Sequence, residues 1–305
     1  MTVQLPRHEA MTLPPLFRYV RERFPLTSHI PASLLTFVTP YVIGRVAAAT
    51  DPIGEGLELA YGSTTVLLAL FLLRVLDDIA DFELDTQHFP DRATSRGIIG
   101  RTQLVWTAAL STLAILGLSW QSAGRPVLFA FLVLLSFNHY VLPRMAHGRV
   151  LILALCHEPL YALLLYFSFV QGARGAGPFA IAICIVIALW SLVEAWEVAR
   201  KIRAAHEEDG YTTYSSLLGV SGARRLVAAL LAASAVAFVL LARQIMLPFA
   251  MGPIIMTCGI ALAAAGILPQ AITSRTLRRS IELYYIGVST MIVIGLAIVH
   301  TGSQV

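Results

Sequence analysis

The sequence predicts an all-α, polytopic membrane protein, a bundle of about nine transmembrane helices forming one domain over residues 1–305. Three observations carry this reading. Hydrophobic residues make up 57% of the chain and charged residues 13%, with a mean hydropathy of +0.74, whereas a soluble domain carries about a quarter charged residues. The apolar residues fall into segments of about 20, the length that crosses a bilayer core. Basic residues also crowd alternate links between those segments, as the orientation of membrane proteins requires.

Residues 1–26 are the first element. Phe17, Val20 and Phe24 share one helical face, and Arg18, Arg21 and Arg23 lie away from it, the pattern of a helix lying in the cytoplasmic interface. Four arginines without a long apolar core argue against a cleavable signal peptide here. Nine spans follow, at 31–49, 58–81, 102–120, 125–143, 150–171, 178–199, 223–243, 247–268 and 281–300. Turn-formers or charges separate them, such as Asp51-Pro-Ile-Gly, Pro90-Asp91-Arg92 and Gly172-Ala-Arg174-Gly. The short links at 121–124 and 244–246 demand helical hairpins. Of the 22 Lys and Arg residues, seventeen fall on the side of the N-terminus; Arg45, Arg125, Arg174 and Arg243 fall on the other, and Arg74 lies within span two. That bias puts the N-terminus in the cytoplasm and the C-terminus outside a cell membrane. The net charge of +4 is therefore a topology signal, and no basic run interleaved with aromatics points to nucleic acid. Cys156, Cys184 and Cys258 all fall inside apolar spans and read as small buried hydrophobes.

Span two ends in Arg74-Val-Leu-Asp77-Asp78-Ile-Ala-Asp81-Phe-Glu83-Leu-Asp85. Asp77, Asp81 and Asp85 recur every four residues, which lines them along one helical face roughly 6 Å apart. Like charges at that spacing repel, and carboxylates in a row are hard oxygen ligands of the kind that hold Mg²⁺ together with substrate phosphates. Arg92 and Arg96 follow in the next link; they serve either to bind a diphosphate or simply to offset the acids. Span five carries His157 and Glu158 before Pro159, roughly 12–14 Å along the helix at 1.5 Å per residue. Ionisable groups that deep are functional candidates by default. Span six supplies a second polar set, with Glu194, Glu197 and Lys201 on one face, then Arg200, Arg203, Glu207, Glu208 and Asp209. Asp77 and Glu197 lie nineteen residues into helices that travel in the same direction, so the two sets are expected at one level of the cytoplasmic side. Lys201 is the single lysine of the chain. Its place favours a phosphate contact, although Glu197 and Lys201 also form an ordinary i,i+4 pair.

These residues resemble the UbiA superfamily of intramembrane prenyltransferases over nearly the whole chain. The family's first motif, Asn-Asp-x-x-Asp-x-x-x-Asp, stands here as Asp77-Asp78-Ile-Ala-Asp81-Phe-Glu-Leu-Asp85, with Asp77 in the asparagine's place. Pro90-Asp-Arg92…Gly97 looks like the family's Pro-x-Arg…Gly loop, and Gly210-Tyr-Thr-Thr213…Gly219 like its Gly-x-x-Thr…Gly stretch. The resemblance implies Mg²⁺ on Asp77, Asp78, Asp81 and Asp85, and a diphosphate gripped by Arg74, Arg92, Arg96, Arg200, Lys201 and Arg203. It also implies ionisation of a farnesyl- or geranylgeranyl-class diphosphate at a site opening to the cytoplasm. Glu158 and His157 would orient an aromatic acceptor or take a proton, and Trp190, Trp196, Tyr161 and Phe167 would shield the carbocation. The second motif departs from the family's paired aspartates. Either Arg200 and Lys201 replace a second metal, or Glu197, Glu208 and Asp209, beside Glu207, ligate it after a shifted turn, or the branch is a terpene cyclase. Outside enzymes, a transporter or lipid carrier would place charge in the membrane too but would show inverted repeats, which the sequence lacks; a scaffold with a decayed site is the remaining alternative.

Overall fold

The structure, a computed structural model, describes residues 14–52, 54, 56–142, 150–203, 213–245, 251–267 and 273–302. Side chains at 84, 150–158 and 300–302 lie outside the description. The described residues form eleven helices and no strand: α1 (Pro15–Arg23), α2 (Leu26–Ala47), α3 (Gly56–Ala80), α4 (Phe82–His88), α5 (Arg101–Leu118), α6 (Arg125–Tyr140), α7 (Val150–Gly172), α8 (Phe179–Arg200), α9 (Tyr214–Gln244), α10 (Met251–Ile267) and α11 (Ser274–Gly302). Each expected span has its counterpart among α2, α3 and α5 to α11. Of the described helices, α2, α3, α8, α9 and α11 are long and apolar enough to cross a membrane, and α10 and the stretch 159–172 are apolar but shorter. The protein is a multi-pass membrane protein.

Among the boundaries that differ from the sequence reading, three have identifiable reasons. α9 begins at Tyr214, because Thr213 accepts a hydrogen bond from the Ser216 amide and Ser216 Oγ in turn accepts from the Thr213 amide, a reciprocal cap. A break at Gly219, with φ +70° and ψ 160°, separates that opening turn from the apolar run. α11 begins at Ser274, so its first two turns carry Arg275, Arg278 and Arg279 ahead of the apolar residues. α3 stops at Ala80, and Asp81 stands past the span, at the junction with α4.

α2 is the hub. It packs against α3, α7, α8 and α11, and Phe37, Tyr41 and Ile43 are fully buried in it. Its closest approach is to α7, where a Cβ on Gly44 would collide with the Phe169 carbonyl and one on Gly172 with the Tyr41 carbonyl. Small residues let membrane helices bring their backbones together where apolar surface alone gives no drive to associate. The interior is not wholly apolar: the Thr36, Tyr161 and Tyr285 hydroxyls of α2, α7 and α11 form a chain at 2.5 and 3.4 Å.

Candidate active site

The acidic motif lies where α3 gives way to α4. The Asp81 amide still donates to the Asp77 carbonyl and the Asp85 amide to the Asp81 carbonyl, at 2.8 and 2.7 Å, so the four-residue register survives the junction. The carboxylates, however, meet different fates.

Asp78 is sequestered. Its side chain is 1% exposed and accepts Tyr19 Oη at 2.8 Å, Arg23 Nε and Nη2 at 3.0 and 2.5 Å, and Arg74 Nη2 at 2.6 Å. Burial first and then Asp78 push the Tyr19 phenol well above its ordinary range, so it stays a donor. Where the sequence suggested a metal ligand, the Asp78 oxygens are met by two guanidiniums and a phenol. Arg74 pairs with Asp78 as an i,i+4 partner. Asp85 is buried and pairs with Arg92, whose guanidinium stacks 3.6 Å over the Phe89 ring. Its Oδ2 accepts no hydrogen bond; Arg23 Nη2 stands 3.6 Å away. Arg96 turns to Glu22 at 2.7 Å, and the other oxygen of Glu22 accepts from the Ala93 amide at 2.6 Å. α1 therefore straps the acidic junction to the loop at 89–97.

Asp77 is 43% exposed and meets His139 Nε2 of α6 at 3.1 Å. The Asp81 carboxylate has no hydrogen bond or ion-pair partner among the described residues. Its carboxyl is pushed up to about 6, by desolvation at the junction and then by the charges of Asp77, Asp85 and Asp78, with Arg92 opposing; solvent still reaches the side chain. A cavity of about 430 Å³ opens beside this set, lined by Glu22, Arg23, His88, Phe89, Pro90 and Arg92 among others.

Among the described residues, no three His, Cys, Asp or Glu side chains converge closely enough to hold an ion by themselves. The donor set nonetheless fits Mg²⁺, which takes one or two carboxylates and completes its shell with phosphate and water oxygens. Among the described residues, Asp81 meets no cation, Asp77 pairs through one oxygen and Asp85 keeps one oxygen without a hydrogen bond.

In the second polar set, Glu197 is paired within its own helix end. Glu197 accepts Arg200 Nη2 and Nε at 2.6 and 2.9 Å, and Lys201 Nζ lies 2.9 Å away. Glu197 is thus committed to cations of its own helix end, and Lys201 takes the ordinary i,i+4 role. The Arg203 amide donates to Ser215 Oγ at 2.9 Å, tying the end of α8 to the start of α9. The partners of Asp77, Asp78 and Asp85 all come from α1, α3, α6 and the loop at 89–97; α2 packs on both α3 and α8. Trp196 Nε1 donates to Glu282 at 2.6 Å, an anchoring role rather than an open ring face. Phe167 is buried against Phe37 at 6.1 Å and sits under Gly124, which makes it packing. Glu207, Glu208 and Asp209, and the side chains of His157 and Glu158, lie outside the described residues.

Sequence reasoning missed Tyr19, Glu22 and His139. The signal for His139 was present: Asn138 and His139 stand at the end of an apolar span, where ionisable groups mark function. A second cavity, about 1050 Å³, opens at the other end of α3 between Glu58, Tyr61, Trp120 and Gln171, roughly 30 Å from Asp78 at 1.5 Å per residue. Glu58 there accepts Tyr41 Oη at 2.6 Å and Gln171 Nε2 at 3.1 Å.

Comparison with known proteins agrees with this architecture. Two solved structures are similar in fold. One, of digeranylgeranylglyceryl phosphate synthase in membranes, has a TM-score of 0.68 at 14% identity and covers 93% of this chain and 99% of its own. The other, the apo form of a UbiA homologue from Aeropyrum pernix K1, has a TM-score of 0.65 at 13% identity and covers 88% and 98%. No curated protein sequence matches. The profile of the UbiA prenyltransferase family matches residues 37–286, most of the chain and the whole of α3 to α10, and the chain belongs to that family.

Proposed function

We propose that this protein is an intramembrane prenyltransferase that ionises an isoprenyl diphosphate of the farnesyl or geranylgeranyl class at the α3–α4 junction, on the cytoplasmic side, and passes the prenyl group to an acceptor. The observation that carries the reading is Asp81, a carboxylate without a cationic partner among the described residues, in a row whose other members are paired. Mg²⁺ held by Asp81 with Asp77 and Asp85 would supply charge stabilisation for the leaving diphosphate. Arg92 and Arg23 border the cavity beside this row, and their planar forks suit phosphate oxygens. The strap formed by Tyr19, Glu22 and Arg23 holds those guanidiniums in register with the acids. The bundle interior excludes water, and His157 and Glu158 on α7 are placed by the sequence to orient the acceptor or take its proton.

Purified protein given farnesyl or geranylgeranyl diphosphate, with Mg²⁺ or with chelator, tests this. Pyrophosphate release that needs both Mg²⁺ and an aromatic acceptor supports a transferase. Release without acceptor, with a cyclic hydrocarbon or alcohol as product, assigns a terpene cyclase instead. No release from either diphosphate refutes enzyme function and favours a carrier.

A further inference from the structure

We infer that His139 is a positioning residue for the metal site, holding the Asp77 carboxylate so that one of its oxygens is offered to the cation; this rests on the function proposed above. The two ends of the contact differ in kind. The His139 side chain is 4% exposed, and its Nδ1 lies 3.0 Å from the Leu135 carbonyl one turn back in α6. The ring is therefore fixed by its own helix before it meets α3. Its Nε2 reaches Asp77 Oδ1 at 3.1 Å. Each ring nitrogen thus meets an oxygen that accepts, one on its own helix and one on α3.

Asp77 is the exposed partner, at 43%, and its Oδ2 accepts no hydrogen bond from the described residues. A buried, doubly anchored ring holding one oxygen of an open carboxylate leaves the other oxygen directed and unfilled. Asp77 is also the charge that acts most strongly on Asp81, so the oriented carboxylate and the unpaired one belong to a single cluster. Hydrogen-bonded support of a ligating carboxylate is a general feature of metal sites, and losing it costs 10–100-fold in metal affinity or activity. α6 thereby enters the site, although it carries no acidic ligand of its own.

The test is Mn²⁺ binding by the full chain in detergent micelles, titrated by electron paramagnetic resonance in the presence of a non-hydrolysable farnesyl thiodiphosphate. His139→Ala is expected to weaken binding by about 10–100-fold. His139→Gln, whose amide nitrogen reaches the position of Nε2, stays near wild type, whereas the shorter His139→Asn behaves like the alanine variant. The Gln and Asn pair keeps the question answerable where alanine fails to fold. In an Asp77→Asn background, adding His139→Ala brings no further loss, because the ring acts through that carboxylate. Unchanged affinity in both His139→Ala and His139→Asn overturns the inference, as does an equal loss in the Asp77→Asn background, which marks a general structural role. A wild-type chain that releases pyrophosphate but binds no Mn²⁺ overturns the metal site beneath it while leaving the prenyltransferase reading standing.

Discussion

Replacing Asp78 by alanine should unfasten α1 and not merely subtract a ligand. Four charge-assisted or phenolic hydrogen bonds converge on this carboxylate, from Tyr19, Arg23 twice and Arg74. Bonds to charged groups contribute about 1.5–3 kcal/mol each, so the gross interaction is several times the net. Against it stands the desolvation of a carboxylate that is 1% exposed and a guanidinium that is 11% exposed, several kcal/mol per ion. Breaking a buried pair by removing one partner costs about 3–5 kcal/mol, because the surviving charge is left unpaired. At roughly 2 °C per kcal/mol for a chain of this size, Asp78→Ala should lower the Tm in detergent by about 6–10 °C. Hydrogen exchange over Pro15–Arg23 should accelerate with it. Arg23→Ala removes the same pair from the other side while leaving Asp78 with Arg74 and Tyr19, so it costs less. The double variant should cost less than the sum of the two, because contacting residues in one ion-pair network couple. A Tm within 1 °C of wild type, with α1 as protected as before, would refute the strap.

The other expectations concern the cluster and its scaffold. Asp81→Asn should abolish pyrophosphate release, measured by a coupled phosphate assay, without lowering expression or Tm. Because the folded pKa of Asp81, about 6, lies above its ordinary 3.8, the metal-free folded chain binds the extra proton and gains stability as pH falls through that window; Asp81→Asn should flatten that rise in a pH series of Tm. The same proton competes with a cation, so Mn²⁺ affinity should drop below about pH 6. Gly172→Val places a branched side chain against the Tyr41 backbone and should push α7 off α2, with loss of folded yield on size exclusion. Trp196→Phe removes the bond to Glu282 and should cost about 1 kcal/mol, read by thermal unfolding, since one net hydrogen bond is worth about that much.

The spans were legible because membrane-crossing length and basic asymmetry are one-dimensional signals: α2, α3 and α5 to α8 begin and end within a few residues of the apolar runs. The ends of α9 and α11 were not, because a polar helical turn outside the bilayer carries no hydropathy. Within the site, the row Asp77, Asp81 and Asp85 could be read from its period alone. What separates Asp78, sunk among guanidiniums, from Asp81, left unneutralised three residues on, is contributed by Tyr19 and Arg23, more than fifty residues upstream, and no local pattern encodes that. The same holds for His139, whose partner lies 62 residues away on another helix. Glu197 and Lys201 went the other way: their spacing already contained the plain i,i+4 pair that the structure forms.

The central claim is that the diphosphate is gripped at the acidic end of α3 and not at the larger cavity at its opposite end. Hydrogen exchange of the full chain in nanodiscs, with and without a non-hydrolysable farnesyl thiodiphosphate and Mg²⁺, tests this most directly. Protection is expected over residues 15–23 and 77–97. Protection confined to residues 57–62 and 116–123, with the acidic junction unchanged, would contradict it.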